Sequence, residues 1–383
     1  MSAPFESVDA VVDAFRRWMA EHDAELSPFR HVAEGNMLAT VEAARPLQRL
    51  LYDAGWTTLG WPEECGGRGG SPVLRAAVIE ELAAAGFVVP EVHSTVEIVA
   101  PLLIRYAPQL ATTYLPPALS GDERWCQGFS EPDAGSDLGS LRTRAIVDGD
   151  GFRITGSKMW SSFGHVAHRC ALLARTGDPD SRTRGLTMFW VDMDAPGITV
   201  TPTMCESGRE EVAEIFFDDV AVPADRVVGE VDGGWGAVMY LMQFERGAFA
   251  WQRQAELHTS LEHLIADPAA LPDDAAEIVG NAYLAVLALR SQSAMTVAEL
   301  AAEHDLGPEI SVDKLLLGMT EQVVTDTARE LLWPALELDD DDERAAYWRR
   351  KWAYSRITTI YGGVAEVQRD LVAERLLGLP RSR

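Results

Sequence analysis

The chain has 383 residues, enough for one large domain or two to three packed sub-domains, and its 47% hydrophobic and 24% charged residues are ordinary for a soluble globular protein. A formal charge of −26 argues against nucleic acid, whose binding needs Lys and Arg clustered against phosphate, and against an anionic membrane surface. No apolar run approaches the about 20 residues that span a bilayer. The first ten residues carry Glu6 and Asp9 and no basic cluster, and Cys65, Cys126, Cys170 and Cys205 lack metal or disulfide spacing, so a reduced cytoplasm is the expected setting.

In chain order, Phe5, Val8, Val12, Phe15 and Met19 recur at three- and four-residue steps and predict a helix. Stretches 76–87 and 98–106 read the same way, and Pro116, Pro117 and Gly121 are expected to break this region. The character then changes to short strands at 143–147, 151–162, 170–174, 186–191 and 214–217, separated by Asp, Gly and Pro turns. After Gly233-Gly234-Trp235 helical patterning returns, interrupted by a loop at 268–274 and an acidic run at 339–343 that reads as solvated. The expected fold is therefore α+β: a helical region 1–121, a small antiparallel β-barrel or sandwich 122–231, and a helical bundle 232–383. His165 and His168 stand three apart, but in a strand-turn setting that suits structural histidines better than metal ligands. The glycine cluster at 66–70 lies between helices and no Gly-x-Gly-x-x-Gly follows a strand, which removes a Rossmann nicotinamide site.

The most informative stretch is Gly128-Phe129-Ser130-Glu131-Pro132-Asp133-Ala134-Gly135-Ser136-Asp137. Turn chemistry of this kind lays consecutive backbone N–H groups and two hydroxyls along one loop, suiting an anionic or heteroaromatic ligand. A tight surface turn is the other reading. Three further blocks stand beside it: Gly60-Trp61-Pro62-Glu63-Glu64-Cys65-Gly66-Gly67, the strand 151–162 ending Lys158-Met159-Trp160-Ser161-Ser162, and Ile360-Tyr361-Gly362-Gly363-Val364-Ala365-Glu366 opening a helix.

Those four blocks, in that order, resemble the acyl-CoA dehydrogenase family of flavoproteins over most of the chain, although Phe129 stands where the family usually has a smaller aliphatic residue. The resemblance implies a sheet domain between two helical ones and FAD as cofactor. It places Gln127, Phe129, Ser130, Gly135 and Ser136 beside the isoalloxazine and pyrophosphate. Trp160, Ser161 and Ser162 would cover another part of the ring, and Gly363 and Val364 would also meet the cofactor. Hydroxyls and backbone amides suit the pyrimidine edge, where charge grows on reduction, and an indole suits the flat face. A core aromatic at a strand end is the alternative for Trp160.

Dehydrogenating a thioester requires removal of a weakly acidic α-proton, the work of a carboxylate whose pKa is raised by burial. Many relatives carry this glutamate directly after the tyrosine matching Tyr361, where this chain has Gly362. Another branch carries it on the first helix of the C-terminal bundle, matching Glu245 in the apolar stretch 238–249. A buried ion pair with Arg246 or a neighbouring helix is the competing reading of Glu245. By the same resemblance, Arg246 would steady the pantetheine or phosphate part of the acyl carrier, and Ser136 would also meet substrate. Departures lie on the adenine side. The family's Arg-x-Phe-Gly segment is absent from 261–275, a glycine-rich stretch near 330 is replaced by Glu330-Leu331-Leu332-Trp333-Pro334, and Val364 replaces a threonine. The resemblance thus implies α,β-dehydrogenation of an acyl thioester, acyl-CoA or carrier-bound, with an electron-transferring flavoprotein as acceptor and a homo- or hetero-oligomeric assembly. A flavin monooxygenase of the same fold and a partner subunit of a hetero-oligomer are the alternatives.

Overall fold

The computed structural model describes residues 7–30, 37–87, 91–266, 271–272, 275–338 and 342–381. The first part is helical: α1 (Val8–Glu21), a short α2 (Asp23–Leu26), α3 (Met37–Asp53), α4 (Pro72–Ala84), α5 (Glu91–Tyr106) and α6 (Pro108–Leu119). Ser7 caps α1 by accepting from the Ala10 amide at 3.2 Å. The buried stripe of α1 is Val11, Phe15 and Met19, one step per turn. Val8 is exposed and Val12 only half-buried, so the sequence pattern finds the helix but mistakes its phase, and Phe5 lies outside the described residues. Pro116 and Pro117 do not break the region: α6 runs through both to Leu119. The chain turns only afterwards, where the Gly121, Asp122 and Glu123 amides donate back to Ala118 and Pro117 carbonyls.

The middle part comprises β1 (Trp125–Gly128), β2 (Arg144–Asp148), β3 (Gly151–Ser162), β4 (Arg169–Arg175), β5 (Leu186–Asp192), β6 (Ile198–Thr203), β7 (Val212–Pro223) and β8 (Val227–Val228). They form one sheet in the order β6-β7-β3-β2-β4-β5-β8, with β1 paired to β4. Most pairings are antiparallel, but β1–β4 and β2–β4 are parallel. Pattern reading misses β6, whose residues are all exposed or half-buried and so lack an apolar face. His165 and His168 fall in the β3–β4 turn, where the His168 ring accepts from the Arg124 amide at 3.0 Å. Among the described residues no group of three side chains could hold a metal.

The C-terminal part is a bundle of α7 (Gly234–Arg246), α8 (Ala248–Leu264), α9 (Ala275–Ala301), α10 (Ile310–Leu331), a short α11 (Ala335–Leu338), α12 (Glu343–Ser355) and α13 (Ala365–Leu371). The expected loop at 268–274 and the acidic residues 339–341 lie largely outside the described residues. Asp342 is not an idle surface charge: its side chain caps α12, accepting from the Arg344 and Ala345 amides. One apolar cluster joins all three parts, taking Val99 and Leu103 from α5, Leu115 from α6, Trp125 from β1, Met188 and Trp190 from β5, and Val238 and Leu241 from α7. Among the described residues no helix is long and apolar enough to cross a membrane.

Within the bundle Asp313 is fully buried. Its Oδ2 accepts from Gln292 Nε2 at 3.1 Å and Thr296 Oγ1 at 2.9 Å, and its Oδ1 has no partner. Burial pushes this carboxyl up to about 6 against those two hydrogen bonds. Between about pH 4 and 6 the folded chain keeps a proton that the unfolded chain releases, so this group's contribution to stability falls as pH rises through that window. The loss is on the order of 2–3 kcal/mol. Asp313→Asn should therefore flatten the pH dependence of urea stability between pH 4 and 6.5, and an identical slope in both proteins would show that Asp313 does not titrate there.

Candidate active site

The loop after β1 is built on a buried charge pair. Glu131 accepts from the Arg142 amide at 2.6 Å, the Thr143 amide at 2.8 Å and Lys158 Nζ at 2.8 Å. Lys158 also donates to the Phe129 carbonyl at 3.0 Å, and the Met159 amide donates to the Ser130 carbonyl at 2.9 Å. Burial raises the Glu131 pKa, but Lys158 and the donors from Thr143 and Arg142 outweigh it and leave the carboxyl below its usual range. Burial lowers Lys158 to about 8 despite Glu131. An isolated buried charge would be prohibitive; with four hydrogen bonds between them the two groups weld the loop to β3.

On that weld the sequence-predicted residues divide. Phe129 is buried, Gln127 and Ser130 are half-buried, and Gly135 and Ser136 are exposed on the loop. The carboxylates of the loop are matched by cations, Asp133 by Arg142 at 3.6 Å and Asp137 by Arg182, so its outer edge offers neutral donors without net negative charge. Trp160 is 58% exposed with φ of 59°, which removes the core-aromatic alternative. One extra residue of β3 between the Lys158–Ile215 and Ser161–Ala213 pairs makes a bulge there and turns the indole outward. Strand alternation then exposes Ser162 but buries the Ser161 hydroxyl inside the sheet, so Ser161 can offer an outside ligand only its backbone.

A second constellation forms where α7 ends. Arg246 Nε donates to the Gly362 carbonyl at 3.0 Å, holding the turn 361–363 against the last residues of α7. Gly362 has φ of +63°, and a Cβ there would stand 3.1 Å from Glu245 Oε1 and 3.2 Å from Lys314 Cε. The Glu245 carboxylate thus borders the position that a side chain at 362 would take. Glu245 accepts no hydrogen bond from any described residue, and burial raises its pKa against the lowering effect of Arg246 and Lys314. The ion-pair reading is satisfied only as a neighbourhood, because Arg246 spends its Nε on the turn. Lys314 on α10 is the residue that motif reading missed. It is buried, donates to the Thr358 carbonyl, and lies 4.6 Å from the centre of the Tyr361 ring. Val364 caps α13 with no side-chain hydrogen bond, as a valine must. The two constellations share a base: the cluster containing Phe129 also contains Val238 and Leu241, with Met242 and Phe249 packed on it, and Phe249 meets Tyr361 edge-on at 6.2 Å.

This combination of a helical part, a sheet and a helical bundle, with a half-buried carboxylate beside a glycine turn, has known counterparts. Family models for the acyl-CoA dehydrogenase N-terminal, middle and C-terminal domains match residues 6–122, 126–220 and 232–377. The chain is 36% identical over 374 residues to acyl-CoA dehydrogenase IpdE1 of Mycobacterium tuberculosis, covering 96% of each. Among solved structures, the Tcur3481-Tcur3483 steroid ACAD superposes with a TM-score of 0.84 at 29% identity over 100% of both chains. The ChsE4-ChsE5 complex from Mycobacterium tuberculosis does so with a TM-score of 0.79 at 26% identity, again over 100% of both. The chain belongs to the acyl-CoA dehydrogenase family, a family of flavoprotein oxidoreductases.

The geometry of the turn gives a direct test. Gly362→Ala places a methyl group 3.1 Å from Glu245 Oε1 and 3.2 Å from Lys314 Cε and forces an L-residue into left-handed backbone. The variant should lose about 1–2 kcal/mol of unfolding free energy from the backbone alone. A urea midpoint equal to that of the parent would mean that the turn relaxes without cost.

Proposed function

We propose that this chain catalyses FAD-dependent α,β-dehydrogenation of an acyl-CoA thioester with Glu245 as the base that removes the α-proton. One observation carries this reading: the position after Tyr361 is a glycine, and Glu245 Oε1 stands 3.1 Å from where a Cβ there would lie, its carboxylate accepting no hydrogen bond from any described residue. Desolvation raises its proton affinity toward the range in which a general base works near neutral pH. A hydroxylase working through free reduced flavin and dioxygen has no use for a carboxylate so placed, which disfavours the monooxygenase alternative.

The residues around the first constellation fit a flavin. An exposed indole on a strained bulge offers a flat face, and Ser130, Ser136, Ser162 and the Gly135 amide offer small neutral donors. A Cβ on Gly135 would meet nothing within 4 Å, so the loop is open on that side. When bound, FAD supplies the acceptor for the hydride leaving the substrate's Cβ. The chain's own part is to hold Trp160 and the serines through the Glu131–Lys158 weld, to keep water from Glu245, and to hold the turn 361–363 with Arg246. Arg246 in turn leaves its terminal nitrogens for the acyl carrier. Solved relatives described as steroid ACADs support a steroid-derived acyl group, and an electron-transferring flavoprotein is the acceptor this reading implies.

Glu245→Gln should leave a folded, yellow protein whose reduction by its acyl-CoA substrate is slower by about two to four orders of magnitude. Near-normal anaerobic bleaching in this variant would remove Glu245 from the role of base.

On the adenine side the residues fit less well, given Val364 and the missing arginine-phenylalanine-glycine segment. Each absent hydrogen bond weakens binding by about 0.5–1.5 kcal/mol, so two or three raise the dissociation constant by roughly one to three orders of magnitude. Expressed alone, the chain should therefore carry fewer flavins than subunits and recover full occupancy only with a related partner subunit. Native mass measurement with flavin quantification tests this; a homo-oligomer with one tightly held FAD per chain would overturn it.

A further inference from the structure

The chain contains thirty arginines but only three lysines, Lys158, Lys314 and Lys351. None is exposed: Lys158 and Lys314 are buried and Lys351 is half-buried. All three lysines thus stand away from the open surface, where a compact ammonium fits a small space and shifts its proton affinity readily. Lys158 is accounted for by Glu131. Among the described residues no carboxylate is hydrogen-bonded to Lys314, yet its stem borders the same Gly362 position as Glu245 Oε1.

We propose that Lys314 is a positioning residue that, reaching from α10 to the Gly362 turn, holds the Glu245 carboxylate in its charged form. This rests on the reading of Glu245 as the base. Both side chains border the same missing Cβ, Glu245 Oε1 at 3.1 Å from it and Lys314 Cε at 3.2 Å with Cδ at 3.6 Å. The ammonium beyond them is held by its bond to the Thr358 carbonyl, with the face of Tyr361 beside it. Opposite charges flanking one turn in a sheltered setting favour each other's charged form. The shifts agree: burial pulls Lys314 down to about 8 and Glu245 opposes the pull, while Lys314 opposes the rise at Glu245.

Other charges face the pair. Arg246 comes from α7, and Glu321 lies about two turns along α10, itself paired with Arg253 of α8. Tyr361 closes the side of the turn. Asp313, the neighbour of Lys314 in sequence, is turned toward Gln292 and Thr296 of α9. The proposal therefore concerns one pair within this field, and it is read by removing one member while watching the other.

With only three lysines, the full-length protein labelled with ¹³C at lysine Cε gives three resonances, assignable by K314R and K351R. Titrated from pH 6 to 11, the Lys314 resonance should have its midpoint lowered by about one pH unit in E245Q relative to the parent, by loss of a nearby negative charge. The Lys158 midpoint should stay fixed. E245A serves as a second variant should E245Q perturb the fold, as judged by circular dichroism. A Lys314 midpoint unchanged in folded E245Q or E245A overturns the coupling. The outcome is separate from the base assignment: loss of substrate-driven flavin reduction with an unmoved lysine retains the base and rejects Lys314, whereas retained reduction rejects the base whatever the lysine does.

Discussion

The hydrogen bond from Arg246 Nε to the Gly362 carbonyl is the contact on which the rest of the bundle site depends. It ties the last turn of α7 to a turn 116 residues further along the chain. A charged donor on a sheltered carbonyl contributes on the order of 1.5–3 kcal/mol. Its larger effect is geometric. With the turn held there, Glu245 has a fixed neighbour, a Cβ at Gly362 would press on it and on Lys314, and the Lys314 stem borders the same point. Gly247 permits the arrangement from the other end, since any Cβ at that position would collide with Thr296 of α9 and spoil the tight α7–α8 junction.

The middle part solves a similar problem with the opposite means. Its loop 129–136 is polar and largely exposed, a composition that by itself favours mobility. Rigidity comes from below, through Glu131 and Lys158, whose desolvation is offset by hydrogen bonds to backbone on two sides of the loop. Exposed groups held by buried ones are the usual way a site keeps its geometry before a ligand arrives. The bulge in β3 follows the same plan: a strained Trp160 is tolerated because Lys158 and Ser161 on either side of it are locked into the sheet.

These two constellations meet through apolar packing alone. Phe129, Val238 and Leu241 share one cluster with Trp125 and Trp190, so a shift of α7 relative to the sheet would disturb both groups at once. The large negative charge of the chain takes no part in this. The acidic excess lies outside, and the groups that matter to the site are a few carboxylates and cations drawn out of water, where their mutual fields are strong.

What the sequence determined alone was whatever depends on residues within a few positions of one another. The turn 128–137, the Trp-Ser-Ser strand end and the Tyr-Gly-Gly turn are local chemistry, and the change from helical to strand periodicity near 122 and back near 232 is equally local. The same locality explains its errors. Apolar residues of α1 point to a helix without deciding that Val11 and not Val12 is buried, and two prolines look like a break until the rest of α6 is seen to absorb them. β6 escapes because an edge strand without a buried face has no pattern to show. Only the tertiary structure decided that Glu245, Lys314 and Gly362 share one space, that Ser161 faces inward, and that Glu131 is the support of its loop. Each of those facts is a meeting of residues from different elements, set by how helices and sheet pack, and no short-range pattern in a chain encodes the space left between them.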